Sequence, residues 1–149
     1  MSPKGDTRRS QCPISFALDL LGDKWSLLVI RDLIFMQKRH FADFLASPEG
    51  IASNILASRL KNLVATGIVS RRPDPDNARK VIYELTEKGA DLVPVLLDLI
   101  HWGAKYDPKT EAPENFTRRI AQRRNEVIAE IRASLRPKKS TARTRAGDA

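Results

Sequence analysis

The sequence predicts a mainly α-helical fold with one small β-hairpin and a helical extension at its C-terminal end. Three observations carry this reading. Apolar residues recur at the three- and four-residue spacing of an amphipathic helix in most segments from residue 13 onward. The exception, residues 68–85, holds two short strand-like runs parted by Pro73-Asp74-Pro75-Asp76-Asn77. Gly and Pro stand at the junctions between segments, where helices stop.

The chain has 149 residues, enough for one core and too few for a second full domain. Apolar residues make up 42%, enough for most of the chain to fold. Lys and Arg number 26 against 18 Asp and Glu, a net charge of +8. The excess lies at the ends. Residues 116–149 hold ten basic and three acidic residues, and residues 1–10 hold Lys4, Arg8 and Arg9 against Asp6. The middle is close to neutral, so any case for a polyanionic partner must rest on pattern and not on gross charge. No apolar run has membrane-spanning length and the first residues carry no apolar secretion signal, so a cytoplasmic protein without a membrane partner is expected. A single cysteine, Cys12, excludes an intramolecular disulfide and a multi-cysteine zinc site. With His40 and His101 the only histidines, and no paired-carboxylate or Gly-rich phosphate motif, neither an enzyme, a cofactor nor a metal is expected.

Residues 1–11 are polar and read as a flexible arm. Cys12-Pro13 opens a first helix, since Pro suits the first helical position, and Ile14 to Leu21 is apolar at helical spacing up to a stop at Gly22. Asp23 caps a second helix from about Lys24 to Phe35, with Trp25, Leu28, Val29, Ile30 and Leu33 turned inward. A basic loop, Gln37 to His40, leads to a short helix at Phe41 to Leu45 and a turn at Ser47-Pro48-Glu49-Gly50. Residues 52–66 form the next helix, whose stripe of Leu56, Leu60, Leu63 and Val64 opposes Asn54, Ser58, Lys61 and Asn62. Gly67 ends it. Ile68 to Arg72 and Val81 to Leu85 make a hairpin whose proline-containing loop cannot continue either strand. Thr86 caps a helix running from Glu87 to Tyr106, apolar on more than one side. After a Pro-containing break at 107–115, residues 116–135 are weakly amphipathic, and 136–149 lack apolar bulk and read as a disordered basic tail.

The order helix, short helix, turn, amphipathic helix, hairpin is that of a winged helix-turn-helix spanning 12–106, with 107–135 as a helical extension. The helix after the turn enters the major groove and offers side chains to base edges. Here those are Ser53, Asn54, Ser58, Arg59, Lys61 and Asn62, small and polar enough for close approach; Asn can bond adenine in bidentate fashion. An ordinary surface helix would carry the same polar face. The adjoining charged hairpin shifts the balance, because Arg71, Arg72, Arg79 and Lys80 then flank a wing that reaches phosphates or the minor groove, with Arg39 and His40 in the loop as further backbone contacts. The partner implied is duplex DNA. An architectural DNA-binding protein, or a winged helix that binds only proteins, is the alternative.

The stretches CPISFALDLLGDKWSLLVIRDLIF, RHFADF, GIASNILASRLKNLVATGIVSRR, YELTEKG and LVPVLLDLIHWG, covering roughly residues 12–104, resemble the HxlR family of winged helix-turn-helix regulators, related in fold to the MarR group. The resemblance implies a homodimeric regulator, here taken as a repressor, on an inverted-repeat (palindromic) operator. It implies an interface built from the first and last domain helices, with Ile14, Phe16, Leu92, Leu96, Leu99, Ile100 and Trp102 as candidates. In some members the cysteine of the Cys-Pro opening is a sensing thiol. Cys12, at a helix start beside Arg8 and Arg9, is therefore a candidate redox or electrophile sensor, against a buried structural cysteine as the alternative. A small-molecule or electrophile effector follows from that. The chain departs from the pattern at Asn54 and Ser58, where many members carry basic residues, and in its basic segment beyond residue 107.

Overall fold

The computed structural model describes residues 8–136; residues 1–7 and 137–149, which take in most of the expected arm and tail, lie outside it. Helix α1 (Pro13–Leu21) begins with Pro13 in its first turn and Cys12 at its N-cap. Helix α2 (Ser26–Phe35) begins two residues later than expected, because the Asp23 side chain takes up the free amides ahead of it. Asp23 Oδ2 accepts from the backbone N–H groups of Trp25 and Ser26, both at 2.9 Å, and Oδ1 accepts from the Ser26 hydroxyl at 2.6 Å. Burial pushes the Asp23 carboxyl up, but those hydrogen bonds and the nearby Arg59 charge together hold it below its ordinary value.

Helix α3 (Phe41–Leu45) drops Phe44 into the core, and α4 (Ser53–Ala65) follows the turn closed by Gly50, whose φ of +70° is the left-handed conformation that Gly adopts readily. Leu56, Leu60 and Leu63 of α4 are all at most 1% exposed, as the stripe predicts. They meet Val29, Ile30, Leu33 and Ile34 of α2 and Val93, Leu96 and Leu97 of the later helix α6 in one core.

The hairpin differs from expectation. Strands β1 (Val69–Asp74) and β2 (Asn77–Leu85) are antiparallel and reach further out, leaving only Pro75-Asp76 as the turn. Pro73 pairs with Val81 inside the ladder. A two-stranded sheet has two edges, so the donor that proline lacks is one the ladder does not need, and an irregularity beside it absorbs the extra residues of β2.

The single helix expected over 87–106 is two: α5 (Glu87–Ala90) and α6 (Val93–Tyr106). Pro94 is the reason. Inside a continuous helix its ring would meet the carbonyl of residue 90, so the chain restarts with the proline in the first turn of α6. Thr86 caps α5 as expected, accepting from Gly89 N–H at 3.2 Å. The same hydroxyl donates to the Gly67 carbonyl at 2.6 Å, and Thr86 N–H donates to the Ile68 carbonyl at 3.1 Å, which fastens α5 to the base of the hairpin. The extension is likewise two helices, α7 (Glu114–Gln122) and α8 (Arg124–Leu135), bent at Arg123. Ile120 and Val127 enter the main core, so the extension shares it.

A buried charge cluster sets the joint between α2 and the helix-turn-helix. Asp32 is 2% exposed. Its carboxylate accepts from Arg31 Nη2 at 2.8 Å, from Lys38 Nζ at 3.4 Å and from the Ser47 hydroxyl. Lys38 also donates to Ser47 Oγ at 2.7 Å, and Arg31 reaches on to Glu49, which holds that carboxyl below its ordinary value. Helix α2, the basic loop and the α3–α4 turn are thus joined through one residue.

Replacing Asp32 by Ala leaves Lys38 and Ser47 without their buried partner. Denaturant unfolding should show a loss of about 2–3 kcal/mol, below the figure for a fully buried pair because Arg31 and Lys38 keep some water. A loss under about 0.5 kcal/mol, the level of ordinary surface substitutions, would mean that the cluster does not hold the joint. Gly89 offers a second check. A Cβ there would lie 2.3 Å from the Ile68 carbonyl oxygen and 2.7 Å from a Leu85 methyl. Gly89→Ala should cost about 1–3 kcal/mol. Gly103→Ala, where a Cβ meets nothing within 4 Å, should be neutral or gain up to about 1 kcal/mol by thermal melting.

Candidate nucleic-acid interface

The side of α4 away from the core is built as the sequence predicts. Ser53, Asn54, Ser58, Lys61 and Asn62 are all exposed on it. Arg59 stands apart from them: it is half-buried and its Nε lies 3.2 Å from Asp23 Oδ2. This charge contact, in which Nε makes no hydrogen bond, turns Arg59 toward the residues before α2, so the exposed face presents Lys61 as its one cation.

The wing residues divide into two sets. Arg71, Arg79 and Lys80 are exposed, the last two on β2 just past the turn, and none of them is in an ion pair among the described residues. Arg72 and Arg39 are exposed as well, but these two and half-buried His40 each have an acid beside them. Arg72 Nη2 lies 2.8 Å from Glu84 Oε1, and Arg39 Nη1 lies 3.9 Å from the same atom. His40 Nε2 is 2.8 Å from Asp74 Oδ2 at the hairpin turn, while His40 Nδ1 is 3.4 Å from Asp43. The Asp74 carboxyl sits below its ordinary value, first through the Asp76 N–H and then through His40. The Tyr83 N–H donates to the Arg39 carbonyl at 2.8 Å, and the Tyr83 ring meets Phe44 edge-on at 6.2 Å. These contacts tie the wing to the loop before α3, so the hairpin and α4 keep a fixed relation.

Sequence reading missed the acids that do this work: Asp23's hold on Arg59, then Asp32, Glu49, Asp74 and Glu84. Asp32 carried a signal, since it is an acid inside the apolar run Leu27 to Phe35. The partners thirty or more residues away, as in His40 with Asp74, left none.

The basic extension changes meaning as well. Arg118, Arg119, Arg123, Arg124 and Arg132 each pair with an acid: Glu114, Glu130, Glu126, Asp98, and Glu87 with Asp91. Much of the charge counted there is matched locally. The four basic residues at 138, 139, 143 and 145 lie outside the described residues.

The expected interface residues also separate. Ile14 and Trp102 are 70% and 65% exposed, and Phe16 and Leu99 are about half exposed. Leu92 and Ile100 are half-buried against the core, and Leu96, at 4% exposure, belongs to that core and is no surface residue. Leu18, Val95 and Tyr106, not singled out from sequence, complete the exposed apolar set on α1 and α6. Cys12 is an exposed free thiol at the N-cap of α1 in the single chain. No helix of the described residues is long and apolar enough to cross a membrane.

Against known proteins, the chain is 39% identical over 97 residues to the uncharacterized HTH-type transcriptional regulator Rv3095 of Mycobacterium tuberculosis, a match covering 65% of this chain and 60% of that protein. The chain thus spans about three fifths of the length of that curated relative. Among solved structures, PA1607 superposes with a TM-score of 0.64 at 37% identity over 71% of this chain and 74% of that one. The redox regulator HypR in its oxidized form gives a TM-score of 0.58 at 33% identity over 64% and 98%. These neighbours share the mainly helical architecture with its antiparallel hairpin, a winged helix-turn-helix. The HxlR-like helix-turn-helix family matches residues 20–111, more than half of the chain, and the protein belongs to that family.

Proposed function

We propose that the chain is a sequence-specific DNA-binding transcription regulator, a repressor acting as a homodimer on an inverted-repeat operator. The observation that carries this is the pairing of an exposed, small and polar face on α4 with a wing whose Arg71, Arg79 and Lys80 have no acid partner among the described residues. Lys and Arg left without acids beside a helix that can enter the major groove are the chemistry of phosphate anchoring around base readout. Arg39, His40, Arg59 and Arg72 act in this reading by positioning the wing and α4. A second copy packing on the exposed Ile14, Leu18, Val95, Leu99 and Trp102 would set two α4 helices about one duplex turn apart or a multiple of it. Residues 12–106 form the domain that does this, with 107–135 as its extension.

Footprinting on the DNA beside the gene tests the reading: a discrete palindromic footprint supports it, and uniform coating would support an architectural role instead. On that operator, Asn54→Ala or Ser58→Ala should each lose about 1–3 kcal/mol of binding while affinity for random DNA hardly changes. Equal losses on both DNAs would remove α4 from base readout. Arg79→Ala should lower the salt slope of binding by roughly one unit, as one phosphate contact does. Arg72→Ala should leave that slope in place, because its charge is already matched by Glu84.

Regulation is proposed through Cys12. It is exposed, sits at the start of α1 and lies on the helix that carries Ile14 and Leu18. HypR, a redox regulator, shares 33% identity with this chain. Two Cys12 thiols, one from each protomer, can join with loss of two electrons and two protons to an oxidant such as diamide; a small-thiol cap or an electrophile adduct are the other products. Each of the three would change the geometry in which the two α4 helices are held. Wild type should release operator DNA on treatment with diamide or a quinone and Cys12→Ser should not. An identical response of both proteins would make the thiol a bystander.

A further inference from the structure

An apolar groove of about 480 Å³ opens between α2, α6 and the segment leading into α7. Leu27, Leu28 and Phe35 form one wall, Leu99, Ile100 and Gly103 the second, and Ala112, Pro113 and Phe116 the third. The third wall comes almost wholly from residues past the family match, which ends at 111. It is fixed in place by its own contacts. Phe116 meets Phe35 edge-on at 6.1 Å, Ile120 is anchored in the core, and Asp107 closes a turn by accepting from Lys109 N–H at 3.0 Å.

We infer that this groove is a binding site for an uncharged, apolar small molecule of aromatic size. Its volume lies within the range of about 300–1,000 Å³ typical of small-molecule sites. The surface facing it is almost entirely carbon. Arg31 contributes to the lining, yet its guanidinium is taken by Asp32 and Glu49, so the groove offers a ligand an aliphatic stem and no free cation. A charged ligand would lose its water there without a partner in return. The inference goes beyond the regulator reading, because ligand binding needs no DNA for its measurement. The position of the groove gives it a consequence: one wall is the helix that carries the Asp32 joint, and another is the helix that carries the exposed apolar face.

The test uses the full chain and N-phenyl-1-naphthylamine, an uncharged dye that brightens in apolar surroundings. Saturable binding of one dye per protomer is expected. Gly103 lines the groove, and a Cβ added there meets no atom within 4 Å. Gly103→Leu should therefore weaken dye binding roughly tenfold or more, a loss of about 1.4 kcal/mol or more, while the melting temperature and the sedimentation coefficient stay at wild-type values. Ala104→Leu, on the same wall, serves where Gly103→Leu does not fold. The part of binding removed by the filling variant should be much smaller for the sulfonated analogue 8-anilinonaphthalene-1-sulfonate than for the neutral dye. Absence of saturable dye binding, or equal binding by wild type and both variants, overturns the site. So does a change of oligomeric state in the filled variant, which would make the groove the seat of a second copy. Equal variant-sensitive binding of the sulfonate overturns the restriction to uncharged ligands.

Discussion

A carboxylate with 2% of its surface left to water must be matched, and Asp32 is matched by groups from three different segments. Its own neighbour Arg31 belongs to α2, Lys38 to the basic loop, and Ser47 to the turn before α4. None of these segments could shift by more than a fraction of a hydrogen-bond length without leaving a buried charge uncompensated, which costs far more than a surface ion pair returns. Apolar packing alone would not impose that. Leu56, Leu60 and Leu63 against α2 bury area, and area is indifferent to small rotations of one helix on another. The apolar stripe brings α4 to the core, and the Asp32 cluster decides where along the core it sits. The angle at which Asn54 and Ser58 face outward follows from both.

The wing repeats the same logic at the surface, with weaker forces. The His40–Asp74 contact, the Tyr83–Arg39 backbone bond and the Phe44–Tyr83 ring contact each contribute modestly. Together they join the hairpin to the loop before α3, so that an otherwise marginal two-stranded sheet has a defined position. This division explains why some cations of the region are matched and others are not. Arg72 and Arg59 lie where an acid fixes them, while Arg79 and Lys80 lie past the last tie, on the part of β2 that projects. In the extension, five arginines face acids of α5, α6, α7 and α8, so local charge there serves cohesion.

Much of this was legible in the sequence because it is local. Helical spacing fixed α1, α2, α4 and the existence of the hairpin, Thr86 and Gly67 marked their boundaries by cap chemistry, and the polar face of α4 followed directly from counting around a helix. Two of the misreadings are local and involve proline, whereas the bend of the extension at Arg123 does not. The rule that proline breaks a strand holds for a central strand and fails at Pro73, whose strand has a free edge. Pro94 lies inside an apolar run that masks it, although its ring separates α5 from α6. What the sequence could not show is tertiary. Asp32 with Ser47, His40 with Asp74, and Arg59 with Asp23 join residues fifteen or more positions apart, and nothing in spacing or composition pairs them.

Helix α6 carries more apolar surface than one domain can cover, and the structure shows how the surplus is divided. One side, through Val93, Leu96 and Leu97, closes the core. A second side meets α7 and α8, whose Ile120 and Val127 are themselves buried by the contact. Val95, Leu99 and Trp102 remain outside, in company with Ile14 and Leu18 of α1, a helix that buries none of its residues. A nine-residue helix is too short to be stable alone, and α1 is held to its domain through half-buried Leu20 and Leu21. These two, at its C-terminal end, pack against the core, while Ile14, Phe16 and Leu18 stay exposed. The extension therefore relieves α6 on one side only, and Val95, Leu99 and Trp102 stay exposed on the other.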